Sequence, residues 1–322
     1  MIVKKILVSL KILALKALLR RIPLNHPKRH LIQDELNRRL AGFKGELAVY
    51  YHLEELPDES FHIFHGIRLK SGNHYFQIDF LLISTYFILI VETKNYTGTV
   101  KFHTKSEQLL RDKNGIETAL PNPLPQVNRH KILLRKWLRE HKFPDLPIEA
   151  LIVFSNPSTI IQADDQRVFR VVCPVTSLHQ RIKETVQYHQ SEKITVKEQK
   201  KLSKTILKNH IEDFPNLLGQ YQISPSEINP GAQCPKCLKL PLLYSRGKWY
   251  CSHCQKQYKN LLQQAIQDYG LLINQTITNK DARTFLQINS PDIVTKLLHS
   301  LNLPSVGTTK SKIYLLYRNK IE

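Results

Sequence analysis

Three ionisable residues, Asp79, Glu92 and Lys94, lie inside the apolar stretch YFQIDFLLISTYFILIVETKN (Tyr75 to Asn95). A charge buried in such a run is unfavourable by several kcal/mol unless it is paired or holds a metal. The two halves of the stretch read as strands of a hairpin. A four-residue loop over Ser84 to Phe87 would set Asp79 opposite Glu92, with Cβ atoms about 5 Å apart. Side chains alternate along a strand, so Glu92 and Lys94 share a face. Two facing carboxylates repel, and one takes up a proton unless a cation lies between them. A hard divalent ion, Mg²⁺ or Mn²⁺, suits such oxygen ligands. Lys94 beside it would offset negative charge building on a phosphate. The alternative is an ion pair of Lys94 with Asp79 or Glu92 that only holds the sheet together.

A second constellation is CPKC-x13-CSHC, which supplies Cys234, Cys237, Cys251 and Cys254. Two C-x-x-C pairs around a short hairpin, LKLPLLYSRGKWY, fit a tetrahedral, structural Zn²⁺ with no open position for catalysis. The fifth cysteine, Cys173, ends an expected strand and reads as an inert core residue. Cysteines in this arrangement indicate a reducing, cytoplasmic setting rather than a secreted disulfide framework.

Elements must position these groups. An amphipathic helix is expected over Leu31 to Glu55, a strand over Phe61 to Leu69 and another over Gly98 to Phe102. The segment PNPLPQ reads as a rigid loop and VNRHKILLRKWLREH as a basic helix. Ile148 to Ser155 and Arg167 to Cys173 read as strands, with helices onward to about His210. This order makes an α/β sandwich around a mixed sheet. Past a linker at Tyr221 to Gln233 and the cysteine unit, two short helices and a basic strand form a winged-helix-like tail. The expected divisions are a basic helical segment (1–35), a core (36–160), a strand and helices packing on it (161–220), a ribbon (230–258) and the tail (259–322).

At the charged hairpin the chain resembles the nuclease-related domain (NERD) family of the restriction-endonuclease-like superfamily. The resemblance rests on QIDFLLIS and VETKNYTG, preceded by GFKGELAVYYHLEEL and followed by NPLPQVNRH. It implies a restriction-endonuclease-like mixed sheet flanked by helices, with Asp79 and Glu92 as metal ligands and Lys94 as the catalytic lysine. It further implies that Glu46 completes the metal site or positions water, and that Gln126 lies near it, with His130 one helical turn on. The cysteine unit resembles the zinc ribbons of topoisomerase tails. The activity implied is phosphodiester hydrolysis. The alternative is a DNA-binding or adaptor protein that keeps the fold without turnover, since a fold alone does not fix function.

The 322 residues hold 47 Lys+Arg against 27 Asp+Glu, a net charge of +20, and the sequence pI is about 9.7. Such a balance favours nucleic acid or an anionic membrane surface; with the nuclease-related resemblance, the partner implied is nucleic acid, in particular DNA. Arg129, Lys131 and Arg135 on the basic helix, Arg246 and Lys248 on the ribbon, and Lys310 and Lys312 on the wing are the expected backbone contacts. Tyr244, Trp249 and Tyr250 would suit base stacking. Asp292 and Thr295 would be base readers on the tail's second helix. The basic, apolar amino terminus reads as a docking helix, or else as a membrane-surface attachment through residues 1–22.

Overall fold

A computed structural model of the chain describes residues 1–57, 60–308 and 311–317. The elements are β1 (Ile2–Lys4), α1 (Leu10–Arg21), α2 (Arg29–Glu54), β2 (His62–Ser71), β3 (His74–Ile83) and β4 (Ile88–Lys94). There follow β5 (Thr99–His103), β6 (Gln108–Lys113), β7 (Ile116–Leu120), α3 (Pro123–Glu140), β8 (Ile148–Phe154), β9 (Ile160–Ala163) and β10 (Val172–Pro174). Then come α4 (Leu178–Tyr188), α5 (Val196–Asn209), α6 (Leu217–Tyr221), β11 (Leu243–Ser245), β12 (Lys248–Cys251) and β13 (Lys256–Tyr258). The chain closes with α7 (Leu262–Leu272), β14 (Thr276–Thr278), α8 (Asn279–Leu286), α9 (Pro291–Ser300), β15 (Ser305–Val306) and β16 (Ile313–Leu315). Contacts gather them into two units, Met1–Val8 with Arg39–Asp213, and Ser9–Arg38 with Phe214–Glu322.

The first unit is built on a six-stranded mixed sheet in the order β1-β2-β3-β4-β8-β10. β2, β3 and β4 pair antiparallel, whereas β8 lies parallel to β4 and β10 parallel to β8. A parallel partner requires a crossover, and α3 falls within the one from β4 to β8. Ile88, Ile90, Ile152 and Phe154 enter a core with Val127, Leu134 and Trp137 of α3 and Leu202 and Ile206 of α5. Leu89, Val91, Leu151 and Val153 enter the opposite core with Val49 and Leu53 of α2 and Leu178 and Ile182 of α4. Both faces are covered, which is why these strands are apolar throughout rather than alternating.

Several expectations change here. α3 begins inside the segment expected to be a loop, with Asn122 as N-cap and Pro123 in its first turn; proline lacks only a donor that the first turn does not use. Arg167 to Cys173 is not one strand, because Gln166–Arg170 is a 3-10 turn and β10 begins at Val172. A four-stranded sheet, β7-β6-β5-β9, extends what was read as a single strand. Its β6–β7 hairpin turns on Asn114 and Gly115, both at positive φ (56° and 79°), the pairing that Asn-Gly favours.

The second unit contains the cysteine ribbon, the tail and, unexpectedly, α1. Residues 1–35 are therefore not a segment of their own: β1 joins the sheet beside β2, and α1 belongs with α7 and α6. Ile12, Ala14, Leu15, Ala17, Leu18 and Leu19 of α1 are buried, whereas Leu7, Val8 and Leu13 are exposed. Arg21, 1% exposed, donates to Asp268 at 2.9 Å and to the carbonyls of Asn229 and Gly231. In the tail, α8 and α9 lie in sequence between β14 and the β15 and β16 strands of a three-stranded β14-β16-β15 sheet. No helix among the described residues is long and apolar enough to cross a membrane.

Candidate active site

The β3–β4 hairpin has the anticipated register: Phe80 pairs with Val91 and Ile83 with Ile88 around a loop of Ser84 to Phe87. In that register Asp79 lies opposite Glu92, one step past the last pair. The alternation of β3 breaks at this point. Phe76 and Ile78 share a core with Leu81 and Ile83, while Phe80 and Leu82 enter the other. β2 breaks beside it, with Gly66 in the left-handed region (φ 60°) between Phe64 and Ile67 of the same core. The irregularity leaves Asp79 half-buried, its Oδ2 accepting from the Thr93 backbone N–H at 2.9 Å.

Glu92 keeps the face of Ile88 and Ile90, towards α3, and is 3% exposed. Its Oε1 accepts from Lys94 Nζ at 2.8 Å and from Gln126 Nε2 at 2.7 Å, and Gln126 Oε1 accepts in turn from Lys94 Nζ at 3.1 Å. Three side chains from β4 and α3 thus close a triangle. Glu92 Oε2 is buried without a hydrogen-bond partner, and so is His130 Nδ1, 3.9 Å from it. Leaving a buried carboxylate oxygen unmatched is unfavourable, so Glu92 Oε2 is a position that a ligand atom could satisfy.

Glu46 reaches the same neighbourhood from α2. Gly45 explains the approach: a Cβ there would lie 2.6 Å from Ser155 Oγ and 2.7 Å from Asn95 Cβ, so only glycine lets α2 sit against the ends of β4 and β8. Asn95 Nδ2 donates to the Ala41 carbonyl at 2.6 Å and fixes the contact. His65 Nε2 donates to Glu46 Oε2 at 2.6 Å. Neither Gly45 nor His65 was singled out from sequence; the clue to the first was the glycine of KGE directly before the candidate acid.

Burial, then the charge of Glu92, then that of Glu46, hold the Asp79 carboxyl well above the usual carboxylate range, against the pull of the Thr93 amide and Lys94. Burial alone would lower Lys94, but Glu92 and then Asp79 raise it, so it stays an ammonium. Burial keeps His130 below the usual imidazole value. An Asp79 carboxyl that favours its proton, with an orphaned Glu92 oxygen near it, fits a divalent cation held by Asp79 and Glu92. Among the described residues, Glu46 does not join them in a three-ligand cluster. Hollows of about 1090 Å³ along α5 and about 440 Å³ beside α9 do not border these acids. Solvent reaches them through Asp79, Lys94 and Glu46, the last two with 16% and 27% of their side chains exposed.

Residues 41–155 match the family model of the nuclease-related domain. The chain carries a nuclease-related domain. All five candidate residues, Glu46, Asp79, Glu92, Lys94 and Gln126, fall within it. The chain is also similar to an uncharacterized protein of Bacillus anthracis, 30% identical over 134 residues, which takes in 40% of this chain and 58% of that protein. The chain thus spans less than two thirds of this curated relative. No solved structure matches.

Outside the nuclease-related domain, the four cysteines converge. Cys234 and Cys254 sulfurs lie 3.5 Å apart, as do those of Cys237 and Cys251, and all four fall within 4.8 Å. Four thiolates at about 2.3 Å from a tetrahedral zinc would be about 3.8 Å apart, so the set fits that ion. Leu238 and Gln255, each directly after a C-x-x-C, adopt matching left-handed turns (φ 60° and 55°). Burial would raise the Cys234 thiol, but the Cys237 amide and the Tyr258 hydroxyl bring it down to about 6. A second cluster, His52, Glu55 and His179, also has metal-ligand spacing.

The expected nucleic-acid contacts are scattered. Arg129 is exposed on α3, but Lys131 lies 3.8 Å from Glu149 and Arg135 lies 3.6 Å from Asp145. Arg246 is at the tip of the β11–β12 hairpin and Lys248 is exposed beside it. Lys312 sits over the Tyr314 ring, and Lys310 lies outside the described residues. Trp249 is fully buried against Tyr244, so it packs the ribbon rather than stacking on bases. Thr295 accepts from Asn279 and is likewise engaged.

Proposed function

We propose that the nuclease-related domain hydrolyses phosphodiester bonds, in DNA, with a divalent cation held by Asp79 and Glu92. The observation that carries this reading is the unmatched, buried Oε2 of Glu92, a carboxylate whose Oε1 is held by Lys94 and whose charge raises the pKa of Asp79. Mg²⁺ or Mn²⁺ would supply Lewis acidity and a nucleophilic water at neutral pH. Gln126 and Lys94 hold Glu92 in one orientation. Lys94 keeps its proton and offsets charge that develops on the phosphate. Glu46, fixed through one oxygen by His65, orients water for attack. The ribbon and tail serve as accessory nucleic-acid-binding modules, with structural Zn²⁺ in the ribbon.

The test is a panel of single-stranded, duplex, nicked and branched substrates with Mg²⁺ and with Mn²⁺. Lys94→Ala should lower cleavage by at least about 100-fold while binding persists, the scale of losing one charge-stabilising donor. Binding without turnover on every substrate and with both metals would leave a DNA-binding or adaptor module that kept the fold.

A further inference from the structure

We propose that the lysine row of α5, rather than the basic face of α3, is the surface that tracks a nucleic-acid backbone; this rests on the nucleic-acid reading above and names its contact face. α5 presents Lys197, Lys200, Lys201, Lys204 and Lys208, all exposed, along a hollow of about 1090 Å³. At 3.6 residues per turn these five fall within a stripe about 100° wide, parallel to the helix axis. The first and last are separated by about 16 Å of rise. One strand of duplex DNA offers a phosphate every 3.4 Å or so along the duplex axis, but neighbouring phosphates lie roughly twice as far apart along the winding strand, so the row can face about three.

The helix is held as a fixed rail. Gln199, Leu202, Ser203 and Ile206 are buried on its other side, Gln199 Nε2 donates to the Ile83 carbonyl at 2.7 Å, and Ser203 Oγ lies 2.6 Å from His62 Nδ1. The one acid on the lysine side, Glu198, is engaged at the N-terminus, where its Oε2 accepts from the Thr195 N–H at 2.8 Å and hydroxyl at 2.9 Å. On α3, Lys131, Arg135, Lys136 and Arg139 each have a carboxylate 3.6 to 3.9 Å away, whereas Lys201 Nζ of α5 lies 5.9 Å from the centre of the Phe143 ring. α3 and α5 cover the same face of the sheet, the one that carries Glu92.

An anionic bilayer would also attract lysines, but interfacial helices insert an apolar face. The apolar face of α5 is spent in the core. A rod of phosphates fits the row; a membrane does not.

The experiment uses the full zinc-loaded chain with no chelator and no added Mg²⁺ or Mn²⁺, so that binding is read without cleavage, and records log Kobs against log[KCl] for a short duplex. Lys197→Gln/Lys200→Gln/Lys204→Gln should reduce the slope by about 2.7, at about 0.9 per lost contact. Arg129→Gln/Arg135→Gln/Arg139→Gln should change it by less. Thermal unfolding confirms that each variant is folded. An unchanged slope in the α5 variant, no binding of DNA or RNA by the unmodified protein, or loss of phosphatidylserine-vesicle binding with DNA binding intact would each overturn the proposal. With Mg²⁺ present, the α5 variant should raise KM and leave kcat unchanged. Slope loss in a protein that never cleaves would retain the lysine row and reject the nuclease; cleavage with KM unmoved would do the reverse.

Discussion

The two candidate metal centres differ in whether their atoms are already matched. In the ribbon, four sulfurs converge at spacings close to those of a zinc tetrahedron, amides and the Tyr258 hydroxyl surround Cys234, and every ligand position is taken by protein. In the nuclease-related domain, one oxygen of Glu92 is held twice and the other not at all, and Asp79 is forced towards protonation by its neighbours. A closed set of ligands stabilises a fold; an open, frustrated one keeps free energy available for binding something else. Breaking the first should therefore damage structure, and breaking the second should damage function while sparing structure.

The largest effect is expected at the ribbon. Cys234 and Cys251 sit in the core of the second unit with Trp249 and Leu262, and structural zinc contributes about 10–16 kcal/mol to the folding of small zinc modules. Cys251→Ser, or chelation, should abolish the cooperative unfolding of that unit, with one zinc per chain lost by metal analysis. Retention of zinc in this variant would break the comparison. Asp268→Ala probes the same principle with charges. Arg21 and Asp268 are 1% and 2% exposed, and Arg20 also reaches Asp268 at 2.7 Å. Removing the acid leaves a buried guanidinium uncompensated, which destabilises by about 3–5 kcal/mol, and denaturant unfolding would show it.

The open site should respond in the other direction. Asp79→Asn removes a carboxyl that favours its proton in the native state far more than it does unfolded, near 3.8. The native state then binds more protons, so this carboxyl lowers stability as pH rises above that value. Without metal, the variant should be as stable as the parent at pH 7 or more so, with the difference closing towards pH 4. With Mg²⁺ at about 100 times its Kd, the parent should gain about 2.7 kcal/mol and the variant nothing. A metal-induced shift that survives in Asp79→Asn would remove this carboxylate from the site.

The charged hairpin was legible because its register follows from loop length, and because Asp79, Glu92 and Lys94 stand out in an apolar run. The sandwich of helices around a mixed sheet was legible too, from segment order. What was hidden depends on contacts distant in sequence. Gly45 matters only because Ser155 and Asn95 come against it, and His65 only because α2 brings Glu46 within hydrogen-bond reach of it. α1 looked like a lipid-facing or docking helix because its periodic apolar residues do not say what covers them. The β6–β7 hairpin, in contrast, had its Asn-Gly turn written in the chain and was passed over.

A group that is buried yet fully matched within the nuclease-related domain gives the smallest and sharpest test. His62 is 7% exposed, its Nδ1 lies 2.6 Å from Ser203 Oγ, and burial holds its pKa below 6.5, with Lys200 and the amino terminus adding to the effect. The unfolded chain takes up a proton near 6.5 and the native one resists it, so stability is present above that pH and is lost as pH falls through it. The slope is at most about 1.4 kcal/mol per pH unit. His130 is shifted the same way, so His62→Gln should flatten the decline between pH 6.5 and 5 without abolishing it. A curve of unchanged steepness would mean that His62 titrates freely, and that α5 is not held against the sheet as the lysine row requires.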